Sequence, residues 1–337
     1  MFTHVAIIGP GAIGCCLAVR LALAPGGPKV TLIDHRPDRA ARLSARPIRI
    51  HAPDVARPAC PAVSTCAEFA TAGQVEDPTG RAGRATATLE ARIPVRTAPD
   101  APVDLVLLAT KAYAARAAAG AAAAWVGAAP VVCLQNGLGV AQEVAAALPG
   151  AAVITAVSYQ AATLVAEGEV HHAANLMTHF GYEGRGPDAA VRAAAELFER
   201  AGLPAAVEAD MMPCVWGKLI VNAAINPVAA LAGVTNGEVA LRPTLRALAA
   251  AIAEEGEAAA RAAGAAIPYS SAAEAAMETA RQTAGNRCSM LQDLEAGRPT
   301  EIDYLNGAIV RIAEAHGAAA PANRAIAALI RQVSAAG

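Results

Sequence analysis

The chain opens with a strand, a glycine turn and a helix in direct succession. The apolar run from Val5 to Ile8 leads into Gly9-Pro10-Gly11-Ala12-Ile13-Gly14, which has the spacing G-x-G-x-x-G, and a helical run follows. The first glycine permits the tight turn, the second lets the backbone approach a pyrophosphate, and the third lets the helix lie close to the strand. This pattern predicts a dinucleotide-binding turn formed by Gly9, Gly11, Ala12, Ile13 and Gly14.

The next strand supports this prediction. It runs from Val30 to Ile33 and ends at Asp34, 20 residues past Gly14. An acidic residue at this distance commonly binds the ribose of the dinucleotide. We therefore expect Asp34 to lie at the adenosine ribose.

Two further apolar runs, Val103 to Ala109 and Pro130 to Leu134, are typical of buried parallel strands. Lys111 follows the first run and Asn136 follows the second. Ligands of doubly wound sheets bind outside the carboxyl ends of the strands. The glycine turn, Lys111 and Asn136 are therefore expected to converge on one crevice.

The pattern changes after residue 208, where predicted strands stop and helical runs take over. We predict an α/β protein with an N-terminal Rossmann-type doubly wound domain over residues 1–208, which binds the dinucleotide. An all-helical C-terminal domain over residues 209–337 follows and is expected to bind substrate and carry the catalytic groups. The stretch 52–84 is irregular, and its role is not predicted.

Composition excludes several classes of function. The formal net charge is -2 and aromatic residues make up 3%, so the chain offers neither a basic field nor stacking platforms for nucleic acid. No targeting segment is expected, because the apolar start from Val5 to Ile8 lacks a basic n-region and runs straight into glycines. No membrane span is expected, because the alanine-rich stretch 112–129 contains Arg116 and is only weakly apolar. The seven cysteines form no C-x-x-C pair, which favours reduced cysteines, no metal site and a cytoplasmic location.

Lysine is scarce, with only Lys29, Lys111 and Lys218 beside 24 arginines. An ammonium can release its proton, whereas a guanidinium stays charged. Lys218, Asn222 and Asn226 are spaced i, i+4, i+8, which places them on one face of an otherwise apolar helix. Such a polar face is costly unless it lines a polar site. A solvated stripe is the alternative.

Two later segments supply complementary groups. One contains Ser289, and the other begins at Thr300 and Glu301. Thr300 resembles a helix N-cap with Asp303 at the reciprocal third position, so Asp303 is expected to have a structural role. Glu301 either complements the helix dipole or holds the ammonium of Lys218.

These elements together resemble the ketopantoate reductase family, and the resemblance runs in order from Gly9 to about residue 320. It rests on the glycine turn and on the following motifs: Lys111 after its strand, Asn136-Gly137-x-Gly139, Lys218-x3-Asn222-x3-Asn226-Pro227, Asn236-Gly237-Glu238, Ser289-Met290-x-Gln292-Asp293, and Glu301-Ile302-Asp303-Tyr304-x-Asn306-Gly307.

The resemblance implies NADPH-dependent reduction of 2-dehydropantoate to (R)-pantoate, on the route to pantothenate and coenzyme A. It also implies roles for individual residues: Lys218 as general acid, Glu301 assisting it, Asn222, Asn226, Asn236 and Ser289 contacting substrate, and Lys111 and Asn136 on the nicotinamide and ribose side. An NAD(P)-dependent D-2-hydroxy-acid dehydrogenase of the same family, acting on another small 2-keto acid, is the alternative. The sequence does not predict the oligomeric state, and a homodimer is one possibility.

The end of the second strand departs from the family pattern. Where the family often carries an arginine for the 2′-phosphate of NADPH, this chain has Asp34-His35-Arg36. Asp34 would repel that phosphate and favour NADH, while Arg36 or Arg39 would hold it. We expect NADPH to be preferred, with NADH as the alternative. The joint presence of Lys218, Glu301 and Ser289 argues against a nucleotide sensor without catalysis.

Overall fold

The computed structural model describes residues 2–53 and 86–336, which form two compact units. The first unit comprises residues 2–53, 86–135 and 140–211, and the second comprises residues 136–139 and 212–336. The short turn 136–139 therefore belongs, by its contacts, to the second unit. Almost all of the irregular stretch 52–84 lies outside the described residues.

Strands and helices alternate along most of the first unit. In chain order its elements are β1 (His4–Ile8), α1 (Ala12–Leu23), β2 (Lys29–Ile33), α2 (Pro37–Ser44), β3 (Ile48–Pro53), β4 (Thr86–Ala91), β5 (Val95–Arg96), β6 (Leu105–Leu108), α3 (Ala112–Val126), β7 (Val131–Cys133), α4 (Val140–Ala147), β8 (Val153–Ser158), β9 (Ala161–Ala166), β10 (Glu169–Ala174), β11 (Thr178–Gly181), α5 (Ala189–Arg200) and β12 (Ala205–Val207).

An eight-stranded sheet forms the centre of this unit, in the order β12-β11-β8-β7-β6-β1-β2-β5. All neighbouring strands are parallel except β8 and β11. The chain winds outward in both directions from β1, so the strand order reverses between β1 and β6. That reversal is where doubly wound sheets bind ligands. The predicted α/β class with a Rossmann-type unit is confirmed.

A second sheet was not predicted. It has four strands in the order β4-β3-β10-β9, and β3 pairs in parallel with β10. Helix α1 contacts strands of both sheets, which explains why it is buried from Gly14 to Leu21 without a polar face. The helix that follows the glycine turn is thus held on two sides.

The second unit is helical in its described part, as predicted. Its helices are α6 (Met212–Ala232), α7 (Asn236–Leu241), α8 (Pro243–Ala262), α9 (Ala272–Gln282), α10 (Ser289–Glu295), α11 (Asn306–Ala315) and α12 (Pro321–Ala336). Helix α6 packs against α8, α9, α10 and α12. Within the described residues, α6 is also the one helix long and apolar enough to cross a membrane by length and composition, but 72% of that window is buried inside the protein. Such burial is typical of a core helix.

The cysteine prediction is correct in part. Cys15, Cys16, Cys133 and Cys288 are free and buried, and burial raises the pKa of the Cys15 and Cys16 thiols to about 12. Cys214 is disulfide-bonded, so the expectation that all seven cysteines are reduced is wrong for that residue. Cys60 and Cys66 lie outside the described residues.

Candidate active site

The glycine turn between β1 and α1 has the geometry that its sequence predicts. Gly9 has φ +102°, and a Cβ at Gly14 would lie 2.0 Å from the carbonyl oxygen of Gly9, so both positions require glycine. A Cβ on Gly11, by contrast, would meet nothing within 4 Å. The turn is therefore closed on the strand side and open at Gly11, where a ligand can approach the backbone.

The N-terminus of α1 is suited to an anion. Gly11 is its N-cap, no side chain caps the helix, and its first turn contains no acidic residue. The first N–H groups of a helix have no partner within the helix, and the helix dipole favours negative charge there. A dinucleotide pyrophosphate fits this turn because it supplies the acceptors that no side chain provides.

Asp34 is more deeply buried than a ribose-binding acid is expected to be. It is 2% exposed, and its carboxylate accepts hydrogen bonds from the backbone N–H of Arg36 (3.2 Å) and from the guanidinium of Arg39 (3.1 Å). Arg39 also donates to the carbonyl oxygen of Pro10 at 2.8 Å. Arg39 thus neutralises Asp34 and ties it to the glycine turn, while the side chain of Arg36 is 51% exposed.

The end of β6 lies beside the glycine turn, as predicted. A Cβ on Gly9 would lie 3.0 Å from Thr110, and Lys111 follows as the N-cap residue of α3. The side-chain amide of Gln135 donates to the carbonyl oxygens of Leu108 (3.0 Å) and Thr110 (3.2 Å). The sequence analysis assigned Gln135 no role. Its position shortly after β7 and directly before Asn136 would have indicated that it lies at the carboxyl end of the sheet.

A small cavity in the second unit brings five of the predicted site residues together. The cavity is lined by Asn136, Asn222, Asn226, Ser289, Met290, Asp293, Glu301 and Leu305. Two of these residues, Met290 and Leu305, are apolar and buried. The rest offer amides, a hydroxyl and two carboxylates, so the cavity combines an apolar wall with groups that can orient a small polar ligand.

Helix α6 carries Lys218, Asn222 and Asn226 as its spacing predicts. Asn222 and Asn226 line the cavity, whereas Lys218 is not among its lining residues. All three are only half-buried, although most of the helix is buried. Burial lowers the pKa of Lys218 to about 8, and the charge of Glu301 opposes this shift. The lowered pKa of Lys218 and the position of Asn222 and Asn226 in the cavity wall favour a polar site over a solvated stripe.

Glu301 lies in a turn and not at the start of a helix. Helix α11 begins at Asn306 with Leu305 as its N-cap, so the predicted cap at Thr300 is wrong. Asp303 is instead paired with Arg331, whose Nε lies 2.8 Å from its carboxylate. Glu301 is buried and lines the cavity. Its charge therefore acts on Lys218 and not on a helix dipole.

The turn 136–139 is attached to the same segment. Gly137 has φ +104°, and a Cβ there would lie 2.5 Å from the carbonyl oxygen of Tyr304. The N–H of Leu138 donates to that oxygen at 3.1 Å. The glycine is needed for this close approach, which places Asn136 at the cavity.

Asn236 was expected to contact substrate and Asp293 was given no role, but the cavity has Asp293 in its lining and not Asn236. Asn236 does not line the cavity: it is buried, and its amide donates to the hydroxyl of Thr283 at 2.9 Å. Asp293 lines the cavity, and its carboxylate accepts a hydrogen bond from Arg298 at 3.0 Å. Sequence reasoning assigned no role to Asp293, although it stands four residues after Ser289, one helical turn away.

Comparison with known proteins agrees with this geometry. Residues 5–184 match the family model "Ketopantoate reductase PanE/ApbA", and residues 210–334 match "Ketopantoate reductase PanE/ApbA C terminal". The chain is 33% identical over 330 residues to a 2-dehydropantoate 2-reductase of Halobacterium salinarum, covering 97% of this chain and 98% of that protein.

Solved structures give the same result. A PanE/ApbA family ketopantoate reductase from Ralstonia eutropha matches with TM-score 0.81 and 28% identity over 99% of both chains. D-mandelate dehydrogenase, solved with NADH and anilino(oxo)acetate, shares the fold with TM-score 0.81 at 22% identity over 99% of both chains. The chain is an NAD(P)-dependent oxidoreductase and belongs to the ketopantoate reductase family.

Proposed function

We propose that this protein reduces 2-dehydropantoate to (R)-pantoate with NADPH and that Lys218 is the general acid. The observation that carries the proposal is the ammonium of Lys218, which has a pKa of about 8 and is influenced by the carboxylate of Glu301. A catalytic acid works best when its pKa lies near the working pH. An ordinary surface lysine does not meet that condition.

NADPH, when bound, supplies the hydride that adds to the C2 carbon of the keto acid. Negative charge then develops on the carbonyl oxygen, and Lys218 donates a proton from Nζ to that oxygen, which yields the alcohol and a neutral amine. Solvent returns the proton to the amine after turnover. Glu301 keeps enough positive charge on Lys218 for the ammonium to be present at neutral pH.

The groups that line the cavity suit a 2-keto acid that also carries a hydroxyl. The side chains of Asn222, Asn226 and Ser289 provide neutral donors and acceptors for the carboxylate and hydroxyl of the substrate. Met290 and Leu305 form an apolar wall that suits the geminal methyl groups of 2-dehydropantoate. We assign Asn236 an indirect role, because its amide is engaged by Thr283.

The cofactor is proposed to bind at the first unit through the glycine turn, with Lys111 at the end of β6. NADPH is favoured over NADH because the charge of Asp34 is compensated by Arg39, while Arg36 remains half-exposed beside it. A guanidinium in that position suits the 2′-phosphate. The N-terminal domain thus binds the dinucleotide, and the helical domain supplies the substrate side.

The test is an assay of nicotinamide oxidation with a panel of 2-keto acids that includes 2-dehydropantoate, pyruvate, 2-oxoisovalerate and phenylglyoxylate. We expect kcat/KM for 2-dehydropantoate with NADPH to exceed that for every other pair by at least about tenfold, the discrimination that a polar pocket readily provides. Chiral analysis of the product should give (R)-pantoate. A higher kcat/KM for phenylglyoxylate would assign the chain to D-2-hydroxy-acid dehydrogenation.

A further inference from the structure

Helix α6, which carries Lys218, Asn222 and Asn226, contains a proline at position 227. Proline has no N–H, so it cannot donate to the carbonyl oxygen of Ala223 four residues earlier. Ala223 is fully buried, and water does not reach it. This carbonyl, which directly follows Asn222 in the chain, needs a donor from outside the helix.

Asn306 supplies that donor. Its Nδ2 lies 3.0 Å from the carbonyl oxygen of Ala223, and Asn306 is itself fully buried. The Oδ1 of Asn306 is buried and accepts no hydrogen bond from the described residues. The amide therefore acts through its two N–H groups and leaves its acceptor unused, which is a costly arrangement in a core.

A second network fixes the orientation of this amide. Nδ2 of Asn306 also donates to Oδ1 of Asn323 at 3.0 Å. Nδ2 of Asn323 in turn donates to the carbonyl oxygen of Ile252 (3.1 Å) and to Glu255 (2.9 Å). The carboxylate of Glu255 accepts from the backbone N–H groups of Ala322 and Asn323 at the start of α12. Helices α8 and α12 thus hold Asn306 in place.

The two ends of the Asn306 to Ala223 bond lie next to catalytic groups in the chain. Ala223 adjoins Asn222 in α6, and Asn306 begins α11 directly after the turn that carries Glu301. We infer that Asn306 is a positioning residue, which replaces the helical hydrogen bond lost at Pro227 and so fixes the face bearing Lys218 and Asn222 relative to Glu301. This inference rests on the proposed function of those residues.

A double-mutant cycle between Pro227 and Asn306 tests this inference. Pro227→Ala restores a backbone N–H to the carbonyl of Ala223, so the carbonyl then no longer needs Asn306. We expect Asn306→Ala to lower kcat at least about tenfold in the natural sequence but less than about threefold in the Pro227→Ala background, since residues that share a partner are not additive. The dissociation constant of NADPH should stay within about twofold, because the glycine turn proposed to bind the nucleotide belongs to the first unit, whereas Asn306 and Pro227 belong to the second.

Asn175→Ala is the matched control. Asn175 also donates from Nδ2 to a backbone carbonyl, that of Gly202 at 2.8 Å, and also has a buried Oδ1 without a hydrogen bond among the described residues. Its loss should leave kcat within about twofold even where the protein is less stable. Equal losses of kcat from Asn306→Ala in both backgrounds would show that Asn306 does not act through Ala223 and would overturn the inference.

Hydrogen exchange gives a readout that needs no turnover. In Asn306→Ala the amides of residues 219–226 and 228–231 should exchange at least roughly tenfold faster, and in the double variant their protection should return. If Asn306→Ala does not fold, the double variant should still fold, and failure of both overturns the inference. Absence of turnover by the natural enzyme on every 2-keto acid would remove the proposed function alone, because the exchange cycle still decides whether Asn306 replaces the lost bond.

Discussion

Burial lowers the pKa of Lys218 to about 8, and the carboxylate of Glu301 opposes that shift. The two effects together leave an ammonium that is charged at neutral pH and is still acidic enough to give up its proton. Burial alone would lower the pKa of Lys218 further, and the charge of Glu301 alone would raise it, so the two effects oppose each other. This combination is what the proposed role of Lys218 as general acid in ketone reduction requires.

The pH dependence of reduction follows from this pKa. If Lys218 is the general acid, as proposed, its protonated form is the active form, so kcat/KM for the keto acid should be level below about pH 8, the pKa of Lys218. Above it, kcat/KM should fall about tenfold per pH unit. Oxidation of the hydroxy acid needs the neutral amine and should show the opposite dependence. A flat reduction profile between pH 6 and 10, about two units on either side of that pKa, would contradict the assignment.

Glu301→Gln separates the effect of charge from that of burial. The substitution keeps the shape of the side chain and removes the charge that raises the pKa of Lys218. The midpoint of the reduction profile should therefore move below pH 8, with a lower rate at neutral pH. Glu278→Gln is the control, because Glu278 pairs with Arg281 on an exposed part of α9. An unshifted midpoint in Glu301→Gln would mean that Glu301 only shapes the cavity.

Ser289 and Asn222 are proposed to bind the substrate. Replacement of either by alanine should raise KM for the keto acid by about tenfold or more and change the dissociation constant of NADPH by less than about twofold, because the lost groups face the substrate. Ser271→Ala removes the hydroxyl that caps α9 and is expected to reduce stability without changing KM. Equal effects on the two ligands would indicate that Ser289 and Asn222 have only a structural role.

Cofactor choice is expected to depend on Arg36. Its side chain is half-exposed beside Asp34, so Arg36→Ala should lower kcat/KM for NADPH by about tenfold and leave that for NADH nearly unchanged, as expected for loss of one phosphate contact. Arg42→Ala is the control, since Arg42 is a similarly exposed arginine in the helix that Arg36 caps and pairs with Asp38 and Glu167 instead of Asp34. A natural enzyme with at least about tenfold higher kcat/KM for NADH would contradict the preference.

Local patterns predicted much of this molecule. The glycine turn and the i, i+4, i+8 spacing of Lys218, Asn222 and Asn226 act within a few residues, so the sequence shows them directly. Glu301 was found through its place in a motif, but its setting was not: Thr300 and Asp303 satisfy a local capping rule, whereas Asp303 pairs with Arg331, 28 residues away. No pattern in the sequence near Asp303 indicates that Arg331 is its partner.

Distant pairings account for the rest. Strand β10 pairs with β3, more than a hundred residues earlier in the chain, which is why the second sheet was not predicted. The bond from Asn306 to Ala223 spans 83 residues, so the asparagine had no apparent role in the sequence. The sequence shows Pro227 directly, but only the folded structure shows that Asn306 donates to the carbonyl oxygen left without its helical N–H.

The most direct test of the account is single-turnover hydride transfer in Lys218→Arg. The substitution keeps the positive charge but offers a proton that guanidinium does not readily release. We predict that the rate of hydride transfer falls by roughly two orders of magnitude, as expected for loss of a general acid. NADPH binding should be retained, and Lys29→Arg, at an exposed ion pair with Asp100, should have no effect. Retention of more than about a third of the natural rate in Lys218→Arg would contradict the general-acid role and assign this lysine to binding of the substrate carboxylate.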